Sequence, residues 1–257
     1  QVALALDKEY GTALGDLFEI IDVLDVISGN AGKKKALTSL SGHMLANAVT
    51  VAGLNVAKDS VISRLKRSYF IPDDSLIKRN IWAQGYGAGN KYKGDDNSPG
   101  DFSADNSGVQ AGFDTMKDDK QIFGLSIGYV DTDARQNSDN VGIKGYNVGG
   151  YGAFFFENNM DLKLMLIGAR QNYSSSRKIA YEGIEPGTGH KRIVSRRASG
   201  EFEGYSLNAA AELGYDYYYK NNIYFRPLLG LDYSYVATDE FTEKGADSAN
   251  LTVYAGS

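Results

Sequence analysis

The 257-residue chain reads as a mainly β protein, an antiparallel up-and-down sheet of long strands preceded by a helical segment, and three observations carry that reading. Apolar residues alternate with small or polar ones through runs longer than the usual five or six residues of a globular strand. Tight turns and longer polar connections alternate between those runs. Finally, 18 Tyr and 30 Gly against 4 Pro supply aromatic residues and close backbone approaches, as in a many-stranded sheet and unlike a Gly/Pro-rich linker.

The first elements are helical. From Tyr10 to Ile27 the apolar residues Leu14, Leu17, Ile20, Ile21, Leu24 and Ile27 recur at three and four. Gly29-Asn30-Ala31-Gly32 is expected to stop this helix, with a second starting near Ala36 and sharing Leu37, Leu40, Met44 and Ala48 on one face. A third is expected between Ala46 and Arg67, and its basic end (Arg64, Lys66, Arg67) suits a helix C-terminus. Pro72-Asp73-Asp74 breaks the helical period, and the chain divides into a helical part, 1–75, and a strand part, 76–257.

Strands are expected near Asn80–Tyr92, Ala104–Met116, Gln121–Thr132, Val141–Phe156, Met160–Tyr173, Gly200–Tyr219 and Ile223–Val236, with an eighth beginning at Asn250. In the third, Phe123, Leu125, Ile127 and Tyr129 fall on one face and Gly124, Ser126 and Gly128 on the other. The sixth repeats the pattern, with Tyr205, Leu207, Leu213 and Tyr215 opposite Ser206, Asn208, Glu212 and Asp216. A soluble sandwich buries such an oily face; a membrane barrel turns it to lipid and keeps the polar face for a lumen. Alternation alone leaves both open. Strand length, and tight turns (Lys117-Asp118-Asp119, Glu157-Asn158-Asn159, Lys220-Asn221-Asn222) set against long polar connections (94–103, 132–140, 174–199), favour a transmembrane barrel.

Several function classes are excluded or disfavoured. A mean hydropathy of -0.34, with no run near the roughly 20 apolar residues of a spanning helix, argues against a helical membrane protein. Zero Cys rules out disulfides and thiol chemistry, and a net charge of -5 gives no basic footprint for nucleic acid. His43 and His190 are far apart, no Gly-x-Ser-x-Gly elbow is present, and Gly85-Tyr-Gly-Ala-Gly89 lies in a strand rather than before a helix, so no catalytic site, metal or cofactor is expected. Asp73-Asp74 and Asp95-Asp96 read as solvated doublets. Lys191, Arg192, Arg196 and Arg197 read as a solvated loop cluster, with lipopolysaccharide phosphates as the alternative contact.

Three stretches resemble the autotransporter β-domain family. Ala-Leu-Thr-Ser-Leu-Ser-Gly-His at 36–43 is similar to the stretch that precedes the barrel there, and Ile-Trp-Ala-Gln-Gly-Tyr-Gly at 81–87 to its first strand. Arg-Pro-Leu-Leu-Gly-Leu-Asp-Tyr at 226–233, followed by Phe241-Thr-Glu243, resembles a late strand and its acidic loop. The resemblance implies a barrel of about twelve strands in the bacterial outer membrane. It also implies a segment near 48–67 threading the lumen, a passenger upstream in cis, lipid and lipopolysaccharide around the barrel, and barrel assembly machinery and periplasmic chaperones as partners. Within that picture Arg64 and Arg67 are expected to meet lumen carboxylates, with Asp114, Glu212 and Asp216 as candidates, while Phe123, Leu125, Ile127, Tyr129, Tyr205, Leu207, Leu213 and Tyr215 face lipid.

Two departures accompany the resemblance. Seven strands and the start of an eighth do not close such a barrel, and the chain does not end on the family's terminal aromatic, so further strands are expected downstream. The start at Gln1 likewise lacks a signal-peptide profile, as in a mature or excised fragment. Asn47 and Asn55 are separated, so self-cleavage at an Asn pair is not expected. The competing readings are a non-autotransporter outer-membrane channel or adhesin and a soluble all-β binding module.

Overall fold

A computed structural model describes residues 16–27, 29–41, 53, 57–66, 76–93, 101–136, 139–184, 187–219 and 223–256. Helix α1 spans Asp16–Asp25 and α2 Asn30–Ser41; a third helical stretch, α3, covers 57–64. The break between α1 and α2 is shorter than the glycine pattern implied. Gly29 alone takes the left-handed conformation (φ 85°), and Gly32 lies inside α2. There a Cβ would come within 2.7 Å of Ile27, so the glycine lets the two helices approach.

Seven antiparallel strands form one sheet in chain order: β1 Ile77–Tyr92, β2 Phe102–Lys117, β3 Gln121–Gln136, β4 Asp139–Phe155, β5 Met160–Ile184, β6 Lys191–Tyr215 and β9 Leu228–Thr238. Between β6 and β9 a small hairpin, β7 Tyr217–Tyr219 with β8 Ile223–Phe225, interrupts both long strands expected there. Pro227, which has no N–H for a ladder, marks the break on the β9 side. The tight turns close with residues that tolerate positive φ: Asp118 (52°), Asp119 (53°) and Asn159 (61°).

The expected connections at 132–140 and 174–199 are instead mostly strand, since β3 runs to Gln136 and β4 starts at Asp139. β5 and β6 each run for 25 residues and stay paired from Met160↔Tyr215 to Ile184↔Lys191. The expected eighth strand is also different. Thr252–Val253 (β11) pairs with Phe241–Thr242 (β10), and this loop folds back on β6 through Ser199↔Lys244 instead of extending the sheet. Gly245 (φ 96°) and Asp247 (φ 51°) make that reversal.

Side-chain direction explains why the long hairpin reads as loop. Along β5 the outward residues are Leu162, Leu164 and Leu166, then Arg170, Asn172, Ser174 and Lys178. Along β6 they are Glu201 and Glu203, then Tyr205, Leu207, Leu213 and Tyr215. The polarity changes on both strands near the Arg170↔Tyr205 pair, so one hairpin has an oily half and a water-facing half. The ten residue steps from Tyr205 to Tyr215, at roughly 3.3 Å each and a tilt of about 40°, give a band about 25 Å tall, the height of a barrel's lipid belt. Tyr129 and Tyr146, outward rings 5.2 Å apart, lie in register with that boundary.

The inward face has a different composition. Gln110 donates to Ser126 (3.0 Å) and Asn147 (2.9 Å), Thr132 to Asn106 (2.7 Å), and Asn208 to Ser234 (2.8 Å). These side chains hold one another across neighbouring strands, which is how buried polar groups avoid a desolvation penalty. Apolar packing on this side forms three clusters, one under α1 and α2, one under α3, and one around Tyr173, Phe202 and Phe241.

Candidate functional site

The inner face of the sheet and the chain segment lying on it form the candidate site. Val61 and Leu65 are fully buried against Trp82, Met116, Ile122, Tyr151 and Met165, so the apolar stripe of α3 seats on the few apolar inward positions of β1 to β5. Trp82 Nε1 donates to Tyr151 Oη (2.8 Å), and Tyr151 Oη donates to Asp114 Oδ2 (3.0 Å). The Arg64 guanidinium lies 5.5 Å from the centre of the Trp82 ring, and its charge acts on Asp114. Nearly two turns before Arg64, Lys58 Nζ meets Asp232 Oδ1 on β9 at 2.9 Å. Contacts at both sides of the sheet therefore orient the helix.

Glycines let this network form. A Cβ on Gly124 would stand 2.3 Å from the Tyr151 ring, and one on Gly112 would stand 2.6 Å from Trp82. Each ring occupies the space over a neighbouring strand that a side chain there would need.

The expected lumen residues separate into groups. Asp114 and Arg64 share the Trp82–Tyr151 network. Glu212 pairs with Lys163 at 2.6 Å, and Asp216 with Arg226 at 2.7 Å, both barrel cations; Arg226 also bonds the buried Asp161. Asp161, Lys163, Glu212, Asp216 and Arg226 line a cavity of about 750 Å³ together with Asp59, Ser63 and Lys66 of the helical segment. Arg67 lies outside the described residues. Lys58, Asp232, Trp82 and Tyr151 were not singled out from sequence, although the position of the one Trp on the inward parity of β1 was a usable signal.

On the other face Leu125 (68 %) and Ile127 (65 %) are largely exposed, with Phe123, Tyr205, Leu207 and Tyr215 also exposed, and Tyr129 and Leu213 half-buried. The basic residues at 191–197 have protein partners. Lys191 pairs with Glu182, Arg192 with Asp22 of α1, Arg196 with the Ala246 carbonyl, and Arg197 donates to Ser176. The cluster therefore stands on strand β6 and not in a loop, with Lys191, Arg192 and Arg197 still exposed. Among the described residues no group of three or more His, Cys, Asp or Glu side chains is placed to hold a metal.

A family model described as the autotransporter beta-domain matches residues 81–257. Outer membrane protein B of Rickettsia prowazekii strain Madrid E is 25% identical over 162 residues, and that of Rickettsia japonica is 24% identical over 157 residues. Each match covers 59% of this chain and 9% of the relative, so the chain corresponds to a small part of those proteins. Among solved structures, the translocator domain of autotransporter NalP from Neisseria meningitidis superposes with a TM-score of 0.57 at 16% identity, covering 79% of this chain and 66% of that one. That likeness concerns the fold.

Proposed function

The chain belongs to the autotransporter β-domain family, a domain of the bacterial outer membrane that translocates an N-terminal passenger carried in cis, and from that premise we propose how its parts divide the work. Residues 76–257 form the wall of the pore and 1–75 the linker that threads it. Phe123, Leu125, Ile127, Tyr129, Tyr205, Leu207, Leu213 and Tyr215 face lipid, and lipopolysaccharide covers the outer boundary. The observation that carries this reading is a helix seated on the polar side of a sheet whose other side is oily over the height of a membrane.

Within the pore, Arg64 is held by the Trp82 ring and Asp114, while Glu212 and Asp216, paired with Lys163 and Arg226, line the cavity towards the periplasmic mouth. The domain contributes passage and anchoring without chemistry of its own. Barrel assembly machinery and periplasmic chaperones are its partners before insertion, because strands with an oily face and unpaired edges must be shielded in water.

An epitope placed upstream of Gln1 in the full-length protein tests this. Antibody labels intact cells if the segment is exported. Labelling only after the outer membrane is permeabilised, with the barrel folded, would overturn the reading.

A further inference from the structure

We propose that the projecting half of the β5–β6 hairpin is a docking platform for the protein's own linker, on which α1 and α2 fold after they leave the pore, locked there by Arg177. The proposal rests on the translocator reading, because only then does the linker emerge at this side of the membrane.

The platform begins where the outward face of the hairpin turns polar. Above the Arg170↔Tyr205 level the strands continue for 14 residues to Ile184, about 45 Å of strand beyond the lipid band. β4 stays paired with β5 as far as Asn140↔Ser176, so the ribbon is bare over its last eight residues, Arg177–Ile184, and a bare two-stranded ribbon is marginal in water. Its inward residues Ile179, Tyr181, Val194 and Ala198 are buried because α1 and α2 cover them, with Ile20, Val23, Ile27, Ala36 and Leu40 as the opposing stripe. This end carries the projecting hairpin, the connection between Tyr92 and Phe102 and the loop after β9, whereas β2–β3 and β4–β5 close in tight turns at the other, which identifies it as the cell exterior.

Arg177 joins three segments. Its Nη1 donates to the Ser39 (2.7 Å) and Leu40 (3.4 Å) carbonyls at the C-terminus of α2, where a cation is favoured. Its Nε donates to Glu243 Oε1 (3.1 Å), and its Nη2 to Glu243 Oε2 and the Ala249 carbonyl (2.9 Å). Both partners of the ion pair are buried, with side-chain exposures of 6% and 4%. Glu243 Oε2 also accepts the Leu251 backbone N–H at 3.0 Å. Phe241 stacks on Phe202, and Phe202 on Tyr173, with centroids 4.2 and 4.6 Å apart, which holds the loop inward. The guanidinium thus has the linker helix on one side and the 241–251 loop on the other. At the far end of the platform Tyr181 Oη donates to the Ile20 carbonyl (3.1 Å) and Arg192 pairs with Asp22.

The consequence is directional. In the periplasm the linker has no such surface to fold on, whereas outside it gains a core and an ion-pair lock, so docking opposes return of the chain through the pore.

The test uses the full-length protein in the outer membrane, with the epitope upstream of Gln1 reporting export. Trypsin is added outside, and cleavage after Lys33 and Lys34, both exposed on α2, is timed in wild type, Arg177→Leu and Ile20→Asp. Docking predicts slow cleavage in wild type and at least a tenfold faster rate in both variants, with the epitope displayed and the barrel still resistant to cold detergent. Equal rates in wild type and Ile20→Asp, with the epitope at the surface, overturn the platform and leave the translocator reading intact. An epitope hidden in wild type overturns the translocator reading instead. Ile20 lies outside every strand, so that variant decides the matter if Arg177→Leu does not assemble.

Discussion

Arg226 occupies a position where removal of one side chain leaves a charge without its partner. Its guanidinium bonds Asp161, which is 3% exposed, and Asp216 Oδ1 at 2.7 Å. Arg226→Ala is expected to lower unfolding stability by about 3–5 kcal/mol in a urea titration of the vesicle-inserted barrel, the range for breaking a buried pair. Lys58→Ala, which leaves the half-exposed Asp232 in water, should cost no more than about 1 kcal/mol in the same titration. Gly124→Val drives a side chain into the Tyr151 ring and breaks its bond with Trp82, so a loss of about 1–3 kcal/mol is expected, with a shift in the fluorescence of the one Trp. At the turns, the Lys120 ammonium holds the Glu157 carboxyl below its usual pKa. That small stabilisation is present above the ordinary carboxylate range and is lost as pH falls through the lowered folded value; Glu157→Gln should remove this step from the pH profile. Of these residues, Arg64 and Asp114 were legible as candidates from charge and position. The partners of Glu212 and Asp216 were not, because strand register brings Lys163 to Glu212 and closure of the β7–β8 hairpin brings Arg226 to Asp216, neither of which residue type reveals.

At the scale of elements, period-two alternation located the strands of the lipid band because each has one continuous oily face. The same rule failed above the band. At Ser174-Ser175-Ser176-Arg177-Lys178 the outward residues meet water and the inward ones meet helices and Arg177's partners, so the pattern reads as polar throughout. The strand expected from Asn250 was misread for a related reason: Leu251 and Val253 alternate like a strand, but a loop with positive φ at Gly245 and Asp247 folds this segment back towards β6. Two positions on the outward face of β3 give a sharp contrast. Leu125→Arg places a cation in the middle of the band and should lose about 2–4 kcal/mol on insertion into vesicles. The same charge on Asp131, just beyond the band on the outward face, should be close to neutral in the same measurement.

For the whole molecule, composition and mean hydropathy resembled those of a soluble protein, since an up-and-down sheet with polar inner residues averages its oily face away. The soluble binding module gave way once the family match and the exposed oily band were in hand. Helix placement was beyond sequence reasoning, because α1 and α2 are positioned by surfaces more than a hundred residues downstream. The central claim is that the sheet is inside out, with its oily face in lipid and its polar face towards a threaded chain. A cysteine scan of β3 tests it most directly, as the chain has no native Cys. Phe123, Leu125 and Ile127, replaced singly by Cys in the vesicle-inserted protein, should react with a membrane-soluble maleimide and resist a water-soluble one, while Cys at Ile122 and Ser126 should resist the membrane-soluble reagent. Rapid reaction of the first three with the water-soluble reagent would contradict the membrane barrel and the translocator role built on it.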